Sequence, residues 1–179
     1  LDLFSVLFGG AVALLPIFAA DILHVGAWGL GVLRAAPAVG AVAMSLVLAW
    51  RPPMQRAGRA SLFAVAWFGL FTIGFGLART LWLSTLFLVL TGAADMVSVV
   101  VRSTLLQLLV PNHLMGRVTS VNQIFVGSSN EIGSFESGLA ARLIGAVPAV
   151  LLGGGITLAV VGGTWRWAPK LREVGRLDE

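Results

Sequence analysis

Ser129-Asn130-Glu131-Ile132-Gly133-Ser134-Phe135-Glu136-Ser137-Gly138 puts two carboxylates and an amide inside a stretch whose flanks mark it as a membrane-crossing helix. Charge at bilayer depth is costly, so an acid there points to a pathway, a relay or an ion pair rather than to ordinary surface. What the run means depends on whether the rest of the chain lives in lipid.

Composition says that it does. Hydrophobic residues make up 58 % of the 179 residues, charged residues 11 %, and mean hydropathy is +0.94. A soluble domain carries about 25 % charged residues. This chain lacks the polar surface to cover a core in water, which makes it an integral membrane protein. It has no cysteine, which excludes disulfides, thiolate metal sites and a cysteine nucleophile. The net charge of +4 is not a nucleic-acid footprint, because the basic residues sit in short segments between apolar spans. The chain opens Leu1-Asp2 without a methionine or a signal peptide, so it is expected to be a piece of a longer protein or a chain trimmed at its start.

Six apolar stretches are expected to cross the bilayer as helices, at 3–23, 28–50, 61–78, 82–103, 118–141 and 146–167. The connections at 24–27, 79–81 and 142–145 fall on one side. Those at 51–60 and 104–117, and the tail after Trp167, fall on the other. Arg51, Arg56, Arg59, Arg117, Arg166, Lys170, Arg172 and Arg176 lie on the second side, against Arg79 and Arg142 on the first. The positive-inside rule makes the second side cytoplasmic, with both ends of the segment inside. Trp28, Trp50, Trp82, Trp165 and Trp167 mark the interfaces, whereas Trp67 is mid-span and is expected to pack.

In the fourth span, Thr91, Asp95, Ser98 and Arg102 share one stripe at about 100° per residue. Such a stripe faces other helices or a watery cavity, not lipid. In the fifth span, Asn122, Ser129, Gly133 and Glu136 share a stripe, and Gln123, Asn130 and Ser137 the next. Glu131 lies about 140° from Glu136, so the two acids point to different faces. Burial favours the protonated form of a carboxyl in general, the property a proton-exchanging group needs. Arg34 is a candidate counter-charge at a depth similar to Glu131. His24 and His113 read as loop histidines. No metal-ligand set, phosphate-binding glycine loop or Ser-His-Asp arrangement is present, so neither an enzyme, a metal site nor a cofactor is expected.

Three segments carry a family resemblance. Arg56-Ala57-Gly58-Arg59 is similar to the end of the D-R-x-G-R loop motif of the major facilitator superfamily, with Gln55 in place of the acid. Pro111 followed by Gly116-Arg117-Val118 is similar to its P-x-x-x-R-G-R-V loop, with Met115 in place of the first arginine. The Ser129–Gly138 run resembles the S-N-E-x-G-x-F-E-S-G signature of the enterobactin-exporter-like branch, the transmembrane secretion effectors. The resemblance implies an all-α fold: the C-terminal six-helix half of a twelve-helix transporter. That half would be built of two inverted three-helix repeats, at about 1–78 and 82–167, with a cytoplasmic tail at 168–179. It implies proton-coupled efflux of siderophores, drugs or similar amphipathic small molecules across a bacterial inner membrane by alternating access. The partners would be lipid and an N-terminal half or a second copy, not nucleic acid. On this reading Asp95, Glu131, Glu136 and Asn130 are candidates for substrate or proton coupling. Arg34 and Arg102 are counter-charges, and Arg56, Gly58, Arg59, Gly116 and Arg117 belong to cytoplasmic gate loops. The alternative is a non-transporting six-helix membrane protein, or a channel or assembly subunit.

Overall fold

A computed structural model describes residues 10–50 and 57–167, and among these every regular element is helical. Arg51, Gln55, Arg56 and the tail at 168–179 lie outside the described residues. The first element, α1, is composite, with a 3-10 segment Gly10–Leu14, an α turn Leu15–Ile17 and a π segment Phe18–Ile22. Pro16 accounts for the irregularity. It has no N–H to give the preceding turn and its ring crowds the carbonyl four residues back, so the regular ladder is interrupted there. The end of α1 is closed by His24, at φ 51°, whose Nδ1–H donates to the Ala20 carbonyl at 2.8 Å. That bond satisfies an acceptor orphaned by the helix end, so His24 has a structural job.

The remaining helices are α2 (Gly26–Ala49), α3 (Ala57–Leu77), α4 (Leu81–Leu109), α5 (Asn112–Ile144) and α6 (Ala146–Trp167). Four of them, in the segments Gly26–Ala49, Gly58–Leu77, Leu81–Leu108 and Ala146–Arg166, are long and apolar enough to cross a membrane. The chain is a multi-pass membrane protein. The other two expected spans differ in kind. Of the first, the described apolar part, Ala11–Ile22, is too short to cross. The fifth, within α5, has length to spare at 33 residues, but its polar residues keep it out of the apolar set.

The expected connection at 104–117 is mostly helix. α4 continues to Leu109 and α5 begins at Asn112, leaving Val110 and Pro111 as the link. Residues 104–109 contain good helix formers, and Pro111 provides the break. Val110 is extended (φ −99°, ψ 122°), the conformation favoured for a residue before a proline. With 29 and 33 residues, α4 and α5 measure about 43 and 50 Å at 1.5 Å per residue, well beyond a ~30 Å hydrocarbon core. At its other end α5 stops at Gly145, whose φ of 94° suits a residue without Cβ and whose N–H donates to the Ala141 carbonyl at 2.9 Å.

α4 packs on both α2 and α3, α3 packs on α6, and α5 packs on α1 and α6. Small residues bring backbones together at two seams, as they do in membrane helix pairs. A Cβ on Gly40 would meet the Val89 carbonyl, and one on Gly92 would meet the Pro37 carbonyl, so α2 and α4 touch backbone to backbone. α3 and α6 meet at Gly69 and Gly154. Where α1 joins α2, α3 and α4, Leu14, Leu15, Phe18, Leu33, Phe75 and Leu88 form the core, with the Phe18 and Phe75 rings 4.6 Å apart. Trp28, Trp50 and Trp82 are exposed near helix ends. Trp67 is not in the core. It is half exposed on the outside of α3 and stacks on Phe71, one turn along, at 5.3 Å.

Candidate functional site

Asp95 is the middle residue of α4 and lines a cavity of about 110 Å³ between four helices. α1 supplies Ala11 and Val12, α2 supplies Pro37, α3 supplies Thr72 between two phenylalanines, and α4 supplies Thr91, Gly92 and Asp95. The polar side chains in the wall are the Asp95 carboxyl and the two threonine hydroxyls. Each hydroxyl donates its proton along its own helix, Thr72 to the Phe68 carbonyl at 2.8 Å and Thr91 to the Phe87 carbonyl at 2.7 Å. The remaining walls are hydrocarbon.

Asp95 reaches this place because α4 carries its polar residues on one face. Thr91, Asp95, Ser98 and Arg102 follow one another at helical spacing, and all are buried or half-buried. Ser84 begins the same stripe seven residues before Thr91, fully buried, with a hydroxyl that finds no hydrogen-bond partner among the described residues. Arg102 lies two turns beyond Asp95.

α5 has three faces. Asn122, Ser129, Gly133 and Glu136 are buried or half-buried, on the side turned to α1 and α6. Val121, Phe125, Ile132, Leu139 and Leu143 form an exposed apolar face suited to lipid. Between them runs an exposed strip of polar and small residues: Gln123, Gly127, Asn130, Glu131, Ser134 and Gly138. Cβ atoms on Gly127 and Gly138 would stand in open space. Glu131 and Glu136 therefore occupy different surroundings.

The other sequence candidates do not gather at the Asp95 cavity. Arg34 is exposed on α2, and neither it nor Glu131 has an ion-pair partner among the described residues. Gly58 and Arg59 lie in the first turn of α3, and Gly116 and Arg117 in the second turn of α5, so these are helix-end residues rather than loop residues. Gly58 is buried, whereas Arg59, Gly116 and Arg117 are exposed. Among the described residues no three of His, Asp and Glu come together as a metal site.

Sequence reasoning missed Thr72, Pro37 and Ser84. Ser84 was within reach, because it shares the register of the Thr91 stripe. Thr72 is a single hydroxyl on an apolar helix, and only the packing of α3 on α4 brings it beside Asp95. Pro37 reads as a kink and gives no sign of lining a cavity.

A family model described as transmembrane secretion effector matches residues 3–178. No curated protein and no solved structure matches the chain.

Proposed function

Because this chain belongs to the transmembrane secretion effector family, a branch of the major facilitator type of transporter, we propose that it is part of a proton-coupled exporter of small amphipathic molecules. Substrates are moved by alternating access about a site near the midplane. The observation that carries this reading is Asp95. An acid at the middle of a membrane-crossing helix, turned into a cavity, is where a transporter keeps an exchangeable charge.

Helix packing supports an organisation in two three-helix repeats, α1–α3 and α4–α6. Exchanging the repeats turns the α2–α4 pair into α5–α1 and the α3–α4 pair into α6–α1, and it leaves α3–α6 unchanged. All five pairs are in contact, whereas the packed pairs α1–α2 and α5–α6 exchange into α4–α5 and α2–α3, which are not closely packed. The polar strip of α5 supports a second six-helix unit beside it, because Asn130 and Glu131 are unsuited to lipid. In this reading Glu131 and Asn130 face that unit, Glu136 lies inside this one, and Arg34 and Arg102 are counter-charges. Arg56, Arg59 and Arg117 sit at the cytoplasmic gate of a bacterial inner membrane protein, the side given by the arginine distribution.

The test is export driven by an imposed pH gradient, with the full-length protein in sealed vesicles. Asp95→Asn abolishes gradient-driven export, while Glu131→Gln and Glu136→Gln weaken it. Unchanged export in all three variants refutes the coupling assignment. Downhill flux indifferent to the gradient identifies a channel instead.

A further inference from the structure

The seam between α3 and α6 has an outer face that transport leaves unexplained. The two helices run antiparallel, with Phe63 beside Trp165, Gly69 beside Gly154 and Gly76 beside Val150. The start of α3 therefore lies against the end of α6. Arg59, Phe63 and Trp67 follow one another on α3 at four-residue spacing, turning about 40° at each step, and all three are exposed. Across the seam Trp165 and Arg166 are exposed as well, and the Phe63 and Trp165 rings meet edge to face with centroids 6.1 Å apart. Two guanidiniums thus stand at the rim of one aromatic surface. Neither has an ion-pair partner among the described residues, whose acids, Asp21, Asp95, Glu131 and Glu136, lie on α1, α4 and α5.

Depth along α3 orders the chemistry. Phe63 lies about 6 Å and Trp67 about 12 Å below Arg59 at 1.5 Å per residue, and helical side chains lean toward the N-terminus, here toward Arg59. The Trp67 ring stacks on Phe71, and its indole N–H has no acceptor among the described residues. Such a donor in hydrocarbon needs one. Charge at the top, aromatic rings beneath it and an unfilled N–H below match the phosphate, glycerol esters and acyl chain of a lipid. Arginine grips phosphate with paired N–H donors, and basic pockets between membrane helices take anionic headgroups. A zwitterionic lipid brings an ammonium of its own into the same space. A second copy of the chain fits poorly, because a two-fold contact there would gather four arginines. Gly162, one turn before Arg166, leaves room beside the seam, since a Cβ on it would meet nothing within 4 Å.

We propose that the outer face of the α3–α6 seam binds one anionic glycerophospholipid, its phosphate held between Arg59 and Arg166 and its glycerol esters and one acyl chain laid along Phe63, Trp165 and Trp67. The lipid ties the start of α3 to the end of α6. The proposal rests on the chain's place in a membrane and not on proton coupling, so loss of the export reading leaves it standing.

The test is native mass spectrometry of the purified full-length protein in neutral detergent, titrated with dioleoylphosphatidylglycerol or dioleoylphosphatidylcholine. One phosphatidylglycerol binds ahead of the rest and raises the thermal unfolding midpoint, and phosphatidylcholine does neither. Arg59→Gln and Arg166→Gln each raise the half-saturating phosphatidylglycerol concentration about fivefold, the effect of one basic residue near an anionic headgroup. Arg59→Lys, which keeps the charge and loses the paired donors, falls between wild type and Arg59→Gln. Arg142→Gln, an exposed arginine in the last turn of α5, leaves it unchanged. Equal weakening by all three glutamine variants overturns the site and leaves a general attraction of basic residues to anionic lipid. Saturation by phosphatidylcholine at the same concentration also overturns it. So does a dimer that persists in stripped detergent and separates in Phe63→Ala, which would put a second copy on this face.

Discussion

Replacing Gly92 by alanine tests the seam that shapes the cavity. A methyl group there would lie 2.6 Å from the Pro37 carbonyl carbon and 2.7 Å from its Cα, and would collide with its oxygen. Carbon atoms rest at about 3.5–4.0 Å, so α2 and α4 must separate by on the order of 1 Å. The obstacle is backbone and cannot move aside by changing rotamer. Overpacking of this kind costs about 1–3 kcal/mol, or roughly a 5- to 150-fold rise in the unfolded fraction. Gly31→Ala is the control, because on α2 its methyl meets nothing within 4 Å. It should be neutral, or stabilising by up to ~1 kcal/mol through helix propensity. Reversible unfolding in mixed micelles, followed by far-UV circular dichroism, measures both. Because Pro37 and Gly92 both line the Asp95 cavity, Gly92→Ala should also impair gradient-driven export beyond its loss of folded protein. A Gly92→Ala protein as stable as wild type would refute backbone contact between α2 and α4.

Gly154→Ala should cost about 1–3 kcal/mol, because its methyl would lie 2.6 Å from Ile73 Cγ1 and 3.0 Å from the Gly69 carbonyl oxygen, whereas Gly155→Ala next to it meets nothing. The same unfolding assay tells them apart, and equal effects would place the α3–α6 contact elsewhere. Ser84→Ala removes a buried hydroxyl that has no partner among the described residues and should stabilise by up to ~1 kcal/mol; a loss of stability would reveal a bound water or another partner. The absence of native cysteine permits single-cysteine labelling without background. In the segment of residues 1–179 alone, without the second unit proposed beside α5, Asn130→Cys should react with a small maleimide in detergent and Ser129→Cys should resist it, because the first is exposed and the second buried. Equal reactivity would mean that α5 is rotated from the orientation described.

Helix positions were legible because an apolar run of about 20 residues has few alternatives in a bilayer. The start of α2 and both ends of α6 fall within two residues of where hydropathy puts them. Where the chain leaves lipid, hydropathy stops reporting. It ends the fourth span at 103, although the helix continues to Leu109, because helix propensity and a following proline set the end of α4. The inward face of α4 was legible from spacing alone, since Thr91, Asp95 and Ser98 share one register. The cavity was not, because it depends on α3 supplying Thr72 and α2 supplying Pro37 from distant parts of the chain. In α5, spacing separated Glu131 from Glu136 correctly as geometry. Which acid is covered follows from the neighbouring helices, α1 and α6.

The joints on either side of α5 have a mechanical consequence. Two residues connect it to α4 and a single glycine connects it to α6. At about 3.3–3.6 Å per residue, neither joint carries slack. A tilt of α5 toward or away from a neighbouring unit is therefore passed to two other rods at once, pulling α4 at one end and α6 at the other. Asp95 sits halfway along the first of those rods, so a movement begun at the outer strip of α5 reaches the buried carboxylate through covalent bonds as well as through packing.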